Sequence, residues 1–210
     1  WPRTSPSHGE NRGSSPLGSK SSANLNKSLM NYCSHCGSAQ LVSKIPKGEN
    51  LPRIVCEACN TIHYQNPKIV AGCLPVWEDK VLLCKRAIQP RYGLWTLPAG
   101  FMENNETVEQ AATRETWEES EASVELLNLY TLISLPHISQ VYIMFRAKLL
   151  NLKFAPGTES LDVRLFTKNE IPWENIAFRT IHKTLTHYFE DNISGEFPLH
   201  LDVINKKKLD

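Results

Sequence analysis

Residues 100–122 read Gly100-Phe-Met-Glu-Asn-Asn-Glu106, then seven residues, then Arg114-Glu115-Thr-Trp-Glu118-Glu119-Ser-Glu-Ala122. Thr107 followed by Gln110 has the form of a capping box, so a helix is expected over Thr107–Ser120. At about 100° per residue, Val108, Ala111 and Ala112 form one apolar stripe. Glu115, Glu118 and Glu119 continue that stripe, and Ala122 follows on it. A solvated acidic face would set its acids opposite the apolar residues, yet here they lie in line. Burying even one unpaired carboxylate costs several kcal/mol, and Arg114 alone cannot neutralise three. A divalent cation can, and hard oxygen ligands select Mg²⁺ or Mn²⁺. The competing reading is an exposed acidic helix that only aids solubility.

Around this helix the pattern is that of strands. Ile69–Trp77 and Lys80–Arg86 are apolar runs that meet at Glu78-Asp79, which reads as a hairpin. In that register Trp77 faces Lys80, and counting back sets Cys73 opposite Cys84. The two are expected as small core residues or as an oxidisable pair. Trp95–Leu97 is a short strand ended by Pro98-Ala99-Gly100. Val124–Ser134, Gln140–Leu149 and Asp162–Phe166 read as further strands, and Ile181–Glu190 as a second helix. Strands around helices without regular alternation imply an α/β or α+β sandwich. Tyr92, Trp95, Tyr130, Tyr142 and Phe145 are aromatic candidates for stacking on a base, each equally at home in a core. Glu159, in Pro-Gly-Thr-Glu-Ser before a strand, is either a loop base or a solvated acid.

Upstream, Cys33, Cys36, Cys56 and Cys59 follow the spacing C-x2-C-x19-C-x2-C. Four thiolates on two tight turns can close a tetrahedron around Zn²⁺, and Gly37 frees the first turn. Two disulfides or unrelated thiols are the alternatives. A site of four cysteines has no open position, so the zinc is expected to be structural, with His35 and His63 outside it. The chain is thus divided into a leader (1–30), a ribbon (31–66) and a catalytic-type domain (67–205). The leader holds eight Ser, three Pro, three Gly, four basic residues and only Glu10 as acid. It is read as disordered, either an organelle transit remnant or an ordinary tail.

The 210 residues carry 23 Lys and Arg against 22 Asp and Glu, a formal net charge of +1. That balance does not point to nucleic acid or to an anionic membrane surface. Near the ribbon Lys44, Lys47 and Arg53 are scattered, and Lys206–Lys208 reads as a solvated tail. The longest apolar run, Ile69–Trp77, is far short of the roughly 20 residues of a spanning helix.

The 23 positions 100–122 resemble the Nudix box: Gly, five residues, Glu, seven residues, Arg-Glu, an apolar residue, any residue, Glu-Glu, any residue, Gly, an apolar residue. Thr116 stands where an apolar residue is usual, and Glu121 where Gly ends the helix. A non-Gly residue held left-handed there costs about 1 kcal/mol. The resemblance implies an α/β/α sandwich around a mixed sheet that hydrolyses nucleoside diphosphates. It also implies that Glu115, Glu118 and Glu119 bind Mg²⁺ or Mn²⁺, with the Gly100 carbonyl as a further ligand. Arg114 would orient a neighbouring carboxylate, Glu106 would join the charge network, and the base would be Glu118 or Glu119, or Glu159. Tyr92 and Trp95 are the substrate-contact candidates. A four-cysteine ribbon before such a domain resembles NADH pyrophosphatases, but Leu132-Ile-Ser-Leu-Pro-His137 replaces their Ser-Gln-Pro-Trp-Pro-Phe-Pro-type segment. It also resembles the plant chloroplast group that cleaves FAD and ADP-ribose. That likeness implies a stromal homodimer acting on FAD first and ADP-ribose second, with a small-molecule substrate and neither nucleic acid nor membrane as partner. The alternatives are NADH hydrolysis and a non-catalytic nucleotide binder.

Overall fold

A computed structural model describes residues 30–206, and the chain divides into two compact units between Gln65 and Asn66. Residues 1–29, the leader up to Met30, and the tail beyond Lys206 lie outside the described residues.

In the first unit three short strands, β1 (Leu41–Lys44), β2 (Arg53–Cys56) and β3 (Ile62–His63), form an antiparallel sheet. Each cysteine pair is followed by a left-handed residue, Gly37 at φ 72° and Asn60 at φ 59°. Their amides turn back to the carbonyls of Cys33 (2.9 Å) and Cys56 (2.8 Å). Gly and Asn are the residues that tolerate this backbone most readily, which is why both turns close tightly.

The second unit is built on an eight-stranded mixed sheet. Its strands are β4 (Lys68–Trp77), β5 (Lys80–Arg86), β6 (Trp95–Thr96), β7 (Ala99–Phe101), β8 (Val124–Leu135), β9 (Gln140–Leu149), β10 (Ser160–Phe166) and β11 (His200–Val203). The order is β10-β5-β4-β9-β8-β11, with β6 on β5 and β7 on β4. The β4–β9 and β8–β11 pairs are parallel and the others antiparallel. Helix α1 (Val108–Ser120) lays Ala111 and Ala112 on Ala71, Cys73, Phe145 and Ala147 of one face. Helix α2 (Arg179–Ser194) lays Ile181, Leu185, Tyr188 and Phe189 on Leu74, Leu83, Tyr130 and Met144 of the other. Each large side chain so buried is worth about 1.5–3 kcal/mol, so the apolar stripe of α2 fixes that layer. The result is the α/β/α sandwich around a mixed sheet. Among the described residues no helix is long and apolar enough to cross a membrane.

The hairpin forms as expected, with Trp77 opposite Lys80 and Glu78 left-handed at φ 55°. It does not continue to the cysteines. Beyond Val76–Val81 the two strands part: β7 pairs with Val70–Gly72 of β4, and Thr96 and Val163 flank Cys84. Cys73 therefore packs under α1, with its Sγ 3.4 Å from the Ala112 carbonyl, while Cys84 lies in a separate cluster with Ala122, Leu149 and Val163. Cys73 and Cys84 thus do not face each other as the register count expected, and both are free, buried core thiols, as the core-residue alternative has it.

In the second unit two strands were not anticipated. β7 occupies Ala99–Phe101, where the sequence suggested only the end of a strand. β11 turns Leu201 and Val203 outward, and its inward His200 and Asp202 bond to α2: His200 Nε2–Asp191 Oδ2 2.7 Å, His187 Nε2–Asp202 Oδ2 2.8 Å, Lys183 Nζ–Asp202 Oδ1 3.0 Å.

Candidate active site

In the ribbon, the four cysteine Sγ atoms lie within 4.8 Å of one another. The Cys33–Cys59 and Cys36–Cys56 separations are 3.7 and 3.6 Å. A tetrahedron with Zn–S bonds of about 2.3 Å has edges of about 3.8 Å, whereas a disulfide needs about 2.05 Å. All four are free thiols, so the arrangement fits zinc and not disulfides. Thr61 Oγ1 lies 3.1 Å from Cys59 Sγ, and its bonds hold that thiol down at about 6. His35 and His63 stay outside the set.

The second site begins at the start of α1. Thr107 Oγ1 accepts from the Gln110 amide (3.2 Å) and Gln110 Oε1 accepts from the Thr107 amide (2.8 Å), so the capping box is present. The helix ends at Glu121, which is left-handed at φ 49°, ψ 19° and donates its N–H to the Trp117 carbonyl at 2.7 Å. The next two orphan carbonyls are taken by a loop: Ala155 N donates to Ser120 O (2.9 Å) and Gly157 N to Glu119 O (3.2 Å). A Cβ at Gly157 would collide with the Glu118 carbonyl, so only glycine lets the loop approach this closely.

The inward stripe is rotated from the one the sequence suggested. Ala112, Thr116, Glu119 and Ser120 are buried, Glu115 is half-buried, and the Glu118 side chain is 55% exposed. Thr116 fits its buried position because its hydroxyl donates to the Ala112 carbonyl at 2.7 Å. Arg114 is the hub of the outer charges. Nε and Nη2 donate to the two oxygens of Glu106 (3.0 and 2.8 Å), and Nη1 to Glu115 (2.8 Å) and Glu118 (3.0 Å). Nη2 also reaches the Phe101 carbonyl at 3.2 Å. These bonds, with the Glu103 amide, hold Glu106 down at about 2.

Glu119 is different. Burial, then the charge of Glu115, push it up to about 8, and its Oε2 has no hydrogen-bond partner. Burial likewise raises Glu115, against the pull of Arg114. The charge of Glu159 adds to both shifts, so the loop after β9 delivers that carboxylate to the same place. Gly100 passes so close to Glu115 that a Cβ there would meet its carboxylate. Among the described residues, only the cysteines already gather three or more ligand atoms; Glu115 and Glu118 are instead bonded to Arg114 Nη1. An unpartnered buried oxygen among carboxylates is nevertheless what a hard divalent cation satisfies.

Gly100, Arg114, Glu115, Glu118, Glu119 and Glu159 line one cleft of about 1100 Å³. Tyr142 also lines it, as do Leu135, His137 and Ile138. Trp95 is instead a core residue, edge-on to Phe166 with ring centroids 4.9 Å apart, and Tyr92 is exposed on the preceding loop; neither lines the cleft. Tyr130 and Phe145 are core residues as well. The sequence reading missed Arg86, Phe178 and Thr180, which line the cleft from β5 and the start of α2. Nothing in their local sequence marks them, since they come together only through the sheet.

The NUDIX domain family matches residues 66–189, and the family described as Nudix N-terminal, a zinc ribbon, matches residues 31–65. The chain belongs to the Nudix hydrolase family, whose enzymes act on phosphorus anhydrides. The solved structure of a NUDIX hydrolase from Nitrosomonas europaea is 60% identical, with a TM-score of 0.81 over 84% of this chain and 100% of that one. An NAD-capped RNA hydrolase NudC from Photobacterium profundum is 28% identical over 142 residues, 65% of this chain and 49% of its own length. An ADP-ribose pyrophosphatase from Methanocaldococcus jannaschii is 29% identical over 115 residues, 52% of this chain and 67% of its own. The chain thus spans about half the length of that NudC relative.

Proposed function

We propose that this protein is a divalent-cation-dependent pyrophosphatase of adenosine diphosphate compounds, with ADP-ribose and FAD as substrates. Water splits the diphosphate, giving AMP with ribose 5-phosphate or FMN. The observation that carries the reading is the convergence of Glu115, Glu118, Glu119 and Glu159 on one cleft, with the Glu119 Oε2 atom buried and unpartnered. In this reading Glu115, Glu118 and Glu119, with the Gly100 carbonyl, hold Mg²⁺ or Mn²⁺. The cation, when bound, neutralises diphosphate charge and acidifies water. Arg114 positions Glu115 and Glu118 by the bonds described, and Glu106 anchors Arg114. Glu118, Glu119 or Glu159 accepts the proton of the attacking water. A homodimer belongs to the same reading and is tested by sedimentation.

Two readings compete on substrate. The NudC relative favours NADH or an NAD cap. Against this, Leu135, His137 and Ile138 line the cleft, and the segment that contains Leu135 and His137 is where the sequence departs from the NADH pyrophosphatase pattern. We therefore rank FAD and ADP-ribose first. The test is kcat/KM for ADP-ribose, FAD, NADH and NAD-capped RNA under one Mg²⁺ condition. If NADH or the capped RNA exceeds both others tenfold, the substrate assignment fails. Turnover of none restores the non-catalytic binder.

A further inference from the structure

The cleft has a second polar wall, unused by the carboxylate chemistry. Thr180 is 1% exposed and lines the cleft, and its Oγ1 has no hydrogen-bond partner. It sits in the first turn of α2, a 16-residue helix whose N-cap is Phe178, a side chain that cannot cap. The Arg179, Thr180 and Ile181 amides have no acceptor among the described residues. Such a helix end carries partial positive charge and free donors.

Two guanidinium groups stand at the same end. Arg86 lies with its Cζ 5.0 Å from the Phe178 ring centroid and donates from Nε to the Pro90 carbonyl at 3.0 Å. Its charge is felt by both Glu119 and Tyr142, which places it between the carboxylates and α2. Arg179 also lines the cleft and donates from Nη1 to the Asn205 carbonyl at 3.1 Å. A sugar hydroxyl or a base edge would use the threonine but not two cations and a helix end. A phosphoryl oxyanion uses all of them.

We propose that Thr180, the free amides of the first turn of α2, Arg86 and Arg179 form a phosphoryl-binding subsite that holds a substrate phosphate not carried by the cation. This rests on the pyrophosphatase reading for its ligand. That phosphate is either the second phosphoryl group of the diphosphate or a phosphate monoester elsewhere on the substrate.

The test is titration of inorganic phosphate into the full chain without divalent cations. Wild type binds it; Thr180→Val and Arg86→Gln each weaken binding at least tenfold, and Thr180→Ser stays within threefold. Arg86→Gln changes no residue of the first turn of α2 and carries the same comparison if Thr180→Val does not fold. No binding by wild type, or binding by Thr180→Val within twofold of wild type, overturns the subsite. The phosphate's source is read from KM for ADP-ribose and its 2′-phosphate, which differ by one monoester. A rise for both with Thr180→Val assigns the diphosphate, and a rise for the 2′-phosphate alone assigns the monoester. A protein that cleaves no diphosphate yet binds phosphate through Thr180 loses the hydrolase reading and keeps the subsite. One that cleaves ADP-ribose while Thr180→Val binds phosphate normally does the reverse.

Discussion

Glu121 closes α1 in a conformation that its side chain disfavours, so Glu121→Gly should make the protein more stable. At φ 49° and ψ 19° its Cβ crowds the carbonyl that follows, at a cost of roughly 1–2 kcal/mol for an L-residue. Glycine adopts this backbone freely, but it gains more freedom in the unfolded chain, which returns part of the benefit. The Glu121 N–H bond to the Trp117 carbonyl is a main-chain bond and survives the change. The net expectation is a gain of about 1 kcal/mol, or about 2–4 °C in Tm for a domain of this size. Glu121→Ala separates the causes, since it removes the charge and keeps the strained backbone. Its Tm should stay within about 1 °C of wild type if strain dominates. The assay is a circular-dichroism melt in magnesium-free buffer, with urea midpoints as a second measure. An unchanged or lower Tm for Glu121→Gly, or an equal rise for Glu121→Ala, would refute the strain argument.

Glu118→Gln and Glu119→Gln should leave the fold intact and lower kcat about 10²-fold or more; near-normal turnover of both at saturating Mg²⁺ counts against their roles. Glu119 titrates near 8 when folded, against an ordinary 4.5. Its contribution to stability is therefore full below about pH 4.5 and is lost as pH rises toward 8. Added Mg²⁺ should offset that loss, and Glu119→Gln should flatten the pH dependence of the urea midpoint in metal-free buffer. Cys33→Ser should release the zinc, measured by elemental analysis, and unfold the ribbon while sparing the transition of the second unit. Cys73 and Cys84 should not react with a thiol reagent in the native state, because both are buried and burial pushes Cys73 up to about 11; rapid labelling of either would overturn their placement.

The parts of this molecule that are periodic or locally punctuated were legible in sequence. The capping box, the 78–79 hairpin, the strands at Lys80–Arg86 and Gln140–Leu149 and the two CxxC turns each rest on neighbours in the chain. Thr116 and Glu121 were visible as departures from the box, and the structure shows one satisfied by a backbone bond and the other left strained. What escaped was nonlocal. β11 reverses the usual pattern by turning Leu201 and Val203 out and His200 and Asp202 in, so its place depends on partners in α2. The Cys73–Cys84 register failed because β6 and β7 enter where the hairpin arms part, which turn counting does not register. Trp95 stands beside the box in sequence, but its ring is sealed in the core. Arg86 and Thr180 line one cleft with nearly a hundred residues between them.

The loop that carries Glu159 is hydrogen-bonded to the end of α1 through main-chain atoms, at Ala155 and Gly157, while Phe154 at its start packs near Ala122. At those two bonds the side-chain requirement is the absence of one, at Gly157. Position and composition are thereby uncoupled: the residues around Glu159 can be exchanged without displacing the helix end that presents Glu118 and Glu119. A lineage under pressure for a new substrate could rewrite this loop by point substitution while its hydrolytic centre stayed in register. Replacement of Gly157 would block that path.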